Sequence, residues 1–179
     1  MCFHVGSPHP KELLQNLNGM LINSDYALDY PRLLPPTFIN VGGLQIRNSK
    51  PLPKNIERFF ESSGEHGVVL FTMGFIFNPQ IVPKSLMNAF MSAFKRLPQK
   101  FLVKFDGPLE NIPDNVKILD FIPQQDVLAH PKTRLFLTHC GLHGVMEAIH
   151  FGVPMVGMPI FTGKALHLHQ FNLYGNNKT

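Results

Sequence analysis

Apolar positions Leu13, Leu14, Leu17 and Met20 recur at helical spacing between Lys11 and Met20, and Leu21-Ile22-Asn23-Ser24-Asp25 then reads as a short strand closed by turn residues. Between Asp29 and Lys54 the prolines Pro31, Pro35, Pro36, Pro51 and Pro53, with Gly42-Gly43, break regular structure and predict an extended connector. The domain boundary is expected there, with residues 1–43 as the tail of one domain plus linker and residues 44–179 as a second domain. Past the connector the pattern changes. Gly67 to Met73 is a continuous apolar run of strand length, of the kind a parallel sheet buries on both faces. Pro83 suits a first helical turn, and Leu86, Phe90, Ala93, Phe94 and Leu97 then repeat every three or four residues until Pro98. Strands are predicted at Phe101 to Phe105, Val116 to Phe121, Arg134 to Thr138 and Val153 to Met158, with helices near Gln125 to Ala129 and over Leu142 to Phe151. Strands alternating with helices imply right-handed crossovers and a Rossmann-like, doubly wound parallel α/β sheet, whose ligands bind at the carboxyl ends of the strands. No repeat of fixed period is visible.

Composition narrows the partners. With 179 residues, 44% hydrophobic and 16% charged, the chain is long and apolar enough to bury a core. Its formal charge of +4 comes from scattered Lys and Arg, without a basic run interleaved with aromatics, so nucleic acid is not expected and an anionic small ligand fits better. Cys2 and Cys140 are too few for a disulfide framework. No apolar run reaches the roughly 18 residues of a membrane span, and Met1 to Pro10 lacks the apolar block of a secretory signal, so neither is expected within this sequence. Asn177-Lys178-Thr179 is a glycosylation triplet of a kind common by chance.

Three strand-end loops carry the candidate chemistry. Gly74 follows the first buried strand, where a glycine either lets backbone approach a ligand or only satisfies a turn dihedral. The loop Phe121 to Asp126 offers an aromatic face that can stack on a base and amides, Gln124 among them, that can bond a ribose or base edge. The alternative puts Phe121 in the core, and Asp126 is expected as a helix N-cap. Thr138-His139-Cys140-Gly141 closes a strand and opens a helix, presenting backbone amides to an anion such as a pyrophosphate. There His139 can donate to a phosphate oxygen and Glu147 can accept from both hydroxyls of a ribose diol. Taken alone, the same residues read as a packed His139 and a solvated Glu147.

These segments resemble a known family. Phe136 to Phe161 (FLTHCGLHGVMEAIHFGVPMVGMPIF), with FIPQQDVLAHPKTRLF before it, resembles the nucleotide-sugar signature of UDP-glycosyltransferases, including animal UDP-glucuronosyltransferases. INSDYALDYPRLLPPTFINVGGL, KPLPKNIERFFESSGEHGVVLFTMG and LPQKFLVKFDG resemble the family's linker and the start of its C-terminal domain, in the same order. The resemblance implies the C-terminal, donor-binding half of a GT-B fold, its far end cut short. It implies transfer of a hexosyl or glucuronosyl group from a UDP-sugar, UDP-glucose or UDP-glucuronate, to a small lipophilic acceptor held by the other half. That half supplies the family's catalytic His and Asp, so no catalytic residue is carried onto this chain, which alone is expected to bind donor without turnover. Donor contacts are implied for Gly74, Phe121, Gln124, His139, Cys140, Gly141, His143 and Glu147. No cofactor or metal is implied. Animal members are usually lumenal enzymes of the endoplasmic reticulum membrane, and association with the same or other glycosyltransferase chains is compatible with the resemblance.

Departures from the family pattern mark where this chain differs. Phe121 replaces the usual Trp, Phe75 a frequent serine and His143 an asparagine of the diphosphate motif. Gly163-Lys164 stands where the family places the acidic and amide pair that grips sugar hydroxyls. Loss of that acceptor can weaken sugar binding by about 1.5 to 3 kcal/mol, whereas Lys164 suits an anionic sugar such as glucuronate. Two other readings stand beside this one. A non-catalytic UDP-binding or regulatory fragment would tolerate these substitutions. A metal site, in a hydrolase for instance, would use the i, i+4, i+8 spacing of His139, His143 and Glu147 with His167 or His169, but a strand end at His139 takes it off that helix.

Overall fold

The computed structural model describes residues 9–74 and 82–158, apart from residues 16, 27 and 29–32. The chain divides into two compact units, Met1–Leu44 and Gln45–Thr179. In the first, helix α1 (Pro10–Gln15) precedes strands β1 (Met20–Ile22) and β2 (Phe38–Asn40), which pair in parallel with Met20 opposite Phe38. The helix therefore ends short of Leu17, and Met20 opens a strand instead of closing a helix. Asn18-Gly19 explains the difference, because glycine inside a helix is unfavourable by roughly 1 kcal/mol. Strand β2 lies inside the segment expected as an extended connector. Asn23 Oδ1 then accepts the amides of Gly43 and Leu44 at 2.9 and 3.4 Å, which turns the chain after β2.

The second unit runs α2 (Lys54–Glu61), β3 (Val68–Thr72), α3 (Lys84–Phe94), β4 (Lys100–Lys104), β5 (Val116–Leu119), α4 (Gln124–Ala129), β6 (Thr133–Thr138), α5 (Leu142–His150) and β7 (Met155–Gly157). Its five strands among the described residues are all parallel, in the order β5-β4-β3-β6-β7. This is the doubly wound α/β sheet that the alternation predicts. Alternate residues of β3 serve opposite faces: Val68 and Leu70 pack with Ile56, Phe60, Leu128 and Ala148, while Val69 and Phe71, with Met73 just past the strand, pack with Met87, Met91 and Phe94. Helices cover both faces as a result.

Three details depart from the sequence pattern. Helix α2 was not foreseen, although Ile56 and Phe60, one turn apart, are its buried face. The buried stripe of α3 is Met87, Met91 and Phe94, so the apolar face is rotated by one residue from the predicted one, and Leu86 is 43% exposed. Strand β5 stops at Leu119 because the Asp120 carboxylate accepts the amide of Phe121 at 2.8 Å, taking that residue out of the ladder. No helix among the described residues is long and apolar enough to cross a membrane.

The chain adds β4 and β5 on one side of β3 and then returns to place β6 on the other. At such a reversal, successive loops leave the strand ends in opposite directions and a crevice opens between them. The ends of β3 and β6, with Thr72 opposite Thr138, define that crevice here.

Candidate functional site

The two strand ends are built around one imidazole. Gly74 takes a φ of +70°, a region that L side chains rarely adopt, and its amide donates to Thr72 Oγ1 at 3.2 Å. A Cβ on Gly74 would lie 2.6 Å from His139 Cε1, and a Cβ on Gly141 would lie 2.7 Å from His139 Nε2. The His139 ring thus occupies space that both residues leave open. Gly74 meets the turn dihedral, and the close approach its missing Cβ allows is to the His139 ring. Between His139 and Gly141, Cys140 adopts a φ of +61°, uncommon for a residue with a Cβ, and this left-handed step takes the chain from β6 into α5 within a few residues. Gly141 is the N-cap of α5 and no side chain caps the helix, whose first turn carries no acidic residue. The first-turn amides and the helix dipole therefore favour an anion at this end. Next to them, Thr138 Oγ1 is buried with no hydrogen-bond partner among the described residues.

A carboxylate lines the same cavity. Glu147, only 7% exposed, accepts from Gln124 Nε2 at 2.6 Å and from Gln125 Nε2 at 3.1 Å, so each oxygen is held by one amide. Gly144 leaves room beside the first contact, since a Cβ there would come within 3.3 Å of Gln124 Nε2. Glu147 is therefore buried, not solvated. Phe121 is 70% exposed at the mouth of the crevice, and the core position belongs to the neighbouring Ile122. The alternative that sinks Phe121 into the core is excluded by this placement.

Asp126 corrects the expectation of an N-cap. Helix α4 starts after Pro123, and Asp126 lies inside it with a 6% exposed carboxylate that takes both guanidinium nitrogens of Arg47, at 2.8 and 2.7 Å, and the Lys50 amide at 2.7 Å. The hydrogen bond from Arg47, against the opposing effect of burial and with help from the Lys50 amide, lowers its pKa from the ordinary 3.8. A depressed folded-state pKa stabilises the fold above the unfolded value and loses that contribution as pH falls through the folded one. Asp126→Asn should accordingly cost about 1 to 2 kcal/mol near neutral pH, the low end reflecting solvent around Arg47. The difference from the parent should close as the pH is taken from about 4 down to about 2. Thermal unfolding across that range checks it, and a gap that stays constant to the lowest pH would rule out the charge as its origin.

Gly74, Phe121, Gln124, His139, Gly141, His143 and Glu147 line a single cavity of about 580 Å³. Cys140 is not among its lining residues; its side chain is buried. Phe75, Gly163 and Lys164 lie outside the described residues. Arg47, Thr72, Lys104 and Gly144 also line the cavity and were not singled out by sequence, whereas Gln125 and Thr138 line it and belong to the two loop motifs already named. For Thr72 and Lys104 the available signal was a polar residue ending an apolar strand; for Arg47 there was none, because its partner is far away in the chain. His139 precedes the left-handed Cys140 and is not on α5 with His143 and Glu147, and no group of three His, Cys, Asp or Glu among the described residues is placed to hold a metal ion.

The sequence profile of the family described as UDP-glucoronosyl and UDP-glucosyl transferase matches residues 7–176. Similar proteins include UDP-glucuronosyltransferase 2B14 of Oryctolagus cuniculus, 46% identical over 151 residues that make up 84% of this chain and 28% of that protein. UDP-glucosyltransferase 2 of Dactylopius coccus is 37% identical over 154 residues, 86% of this chain and 30% of its own length. This chain thus spans about three tenths of the relatives it matches. Among solved structures, a UDP-glucosyltransferase from Polygonum tinctorium capable of glucosylating indoxyl superposes with a TM-score of 0.66 at 22% identity, over 84% of this chain and 37% of that one. The shared fold is the Rossmann-like α/β architecture of GT-B glycosyltransferases.

Proposed function

The chain belongs to the UDP-glucoronosyl and UDP-glucosyl transferase family, and we propose that its crevice binds the UDP-sugar donor, so that the chain supplies the donor-binding domain of a transferase. The observation that carries this reading is that one cavity is lined both by a His139 ring packed close against two glycines and by a buried carboxylate held by two glutamines. Phe121 offers a ring face to uracil. Glu147 takes the ribose hydroxyls beside Gln124. His139 and the first amides of α5 take the diphosphate, and they stabilise the charge that builds on UDP as the sugar leaves.

Relatives named for glucuronosyl and for glucosyl transfer support UDP-glucuronate and UDP-glucose as the candidate donors. The acceptor, a small lipophilic molecule, belongs to the whole protein, of which residues 1–43 are proposed as acceptor-domain tail and linker. No residue of this crevice is assigned as the base that activates it. The lumenal face of the endoplasmic reticulum membrane is proposed for the whole protein on kinship alone.

Calorimetric titration of the chain with UDP, UMP, UDP-glucose and UDP-glucuronate tests the reading. UDP should bind with a Kd between about 10 μM and 1 mM, and UMP about tenfold more weakly because it lacks the second phosphate. Absence of any UDP heat at several times that concentration would remove the donor-binding assignment.

A further inference from the structure

We propose that Gln125 is a positioning residue: its amide fixes the plane of the Glu147 carboxylate and clamps to it the backbone of Gln45 and Arg47, with which the second unit begins. The proposal rests on the donor-site reading above. Gln125 Nε2 donates to Glu147 Oε1 at 3.1 Å and to the Gln45 carbonyl at 2.9 Å, while Gln125 Oε1 accepts the Arg47 amide at 3.0 Å. Both amide hydrogens and the amide oxygen are engaged, so the group has one orientation. Reversed, it would face two acceptors with its oxygen and an N–H with its nitrogen.

The effect on Glu147 follows from counting acceptor sites. A carboxylate has about four lone-pair sites, and Gln124 and Gln125 take one on each oxygen, which leaves one on each for the two hydroxyls of a ribose. A single donor would leave the terminal torsion of a glutamate side chain free over a broad range. Two donors on different oxygens hold its plane, so the diol meets acceptors that are already aimed. Asp126, the next residue of α4, grips the Arg47 guanidinium and the Lys50 amide. Adjacent α4 residues therefore hold the segment from residue 45 to residue 50, and one of them also holds Glu147. Displacement of that segment and the aim of the ribose-binding carboxylate are coupled through the Gln125 side chain.

The test compares UDP with 2′,3′-dideoxy-UDP, which keeps the base and both phosphates but lacks the hydroxyls. Gln125→Ala should raise the Kd for UDP about tenfold and leave that for the dideoxy nucleotide unchanged within about twofold. Gln125→Glu, which sets a carboxylate against Glu147 while still accepting the Arg47 amide, should raise it further and again spare the dideoxy nucleotide. Equal weakening of both nucleotides would reduce Gln125 to a general structural part, and an unchanged UDP affinity in both variants would also overturn the proposal. Hydrogen exchange reads the clamp without any ligand: the Arg47 amide should exchange about tenfold faster in Gln125→Ala at unchanged global stability. Unaltered exchange there refutes the clamp. If the parent chain bound neither nucleotide, the donor-binding assignment would fall, and the exchange result would decide the clamp by itself.

Discussion

Gly141→Ala is expected to weaken UDP binding by about 30- to 100-fold, equivalent to about 2 to 2.7 kcal/mol, while the chain stays folded. The backbone of Gly141, at φ −67° and ψ 133°, is one that alanine adopts without strain. The added methyl has no such freedom. It would stand 2.7 Å from His139 Nε2 and 2.9 Å from Cε1, inside van der Waals contact, and Gly74 also packs close against these ring atoms, which limits how the ring can move away. Displacing the ring takes Nε2 away from the phosphate it is proposed to bind and leaves the sheet alone. Gly74→Ala is a poorer experiment, since its φ of +70° adds backbone strain to the collision. Calorimetry with UDP, read beside the thermal midpoint, checks the prediction. A Kd within threefold of the parent would show that His139 is not held as described or does not bind phosphate.

Phe71→Ala should have the largest effect on stability, about 3 to 5 kcal/mol. Phe71 is fully buried on central strand β3, with ring centroids 5.0 Å from Phe90 and 5.7 Å from Phe94, and Phe94 in turn stacks on Phe101 at 4.1 Å. Removing it opens a void between sheet and α3 that aromatic neighbours, packed against one another, cannot close. Against a typical domain stability of about 5 to 15 kcal/mol, the loss should lower the urea midpoint by about a fifth or more. A shift of less than about 1 kcal/mol would mean that the aromatic cluster relaxes into the void.

Much of this layout could be read before the structure. The apolar run around β3 and the glycine and proline punctuation placed the main strands of the second unit, and the switch from strand to helix at His139 to Gly141 located the anion-favouring turn. Their juxtaposition was not legible: nothing local to Gly74 says that β6 lies beside β3, because strand order is a property of the whole sheet. Short elements failed for lack of period, as with β2, three residues between Pro36 and Gly42. Helix α2 was hidden because Pro51 and Pro53 drew its first turn into the connector. Asp126 was misread for a different reason. Its position near a helix start fits a cap, and only the fold brings in Arg47 from before α2 to claim the carboxylate.

The parallel pairing of β3 with β6 also sets an order in which the molecule assembles. Strand β4 joins β3, β5 joins β4 and β7 joins β6 across comparatively short stretches of chain, but residues 68–72 must find residues 133–138 for the sheet to close. Closing the longest loop costs the most chain entropy and comes late unless other contacts prepare it. The crevice lies across that junction, so the nucleotide binding proposed for it would arrive with the last closure. A ligand that touches Gly74 and His139 together acts on the same junction, holding shut the seam that the chain finds hardest to make.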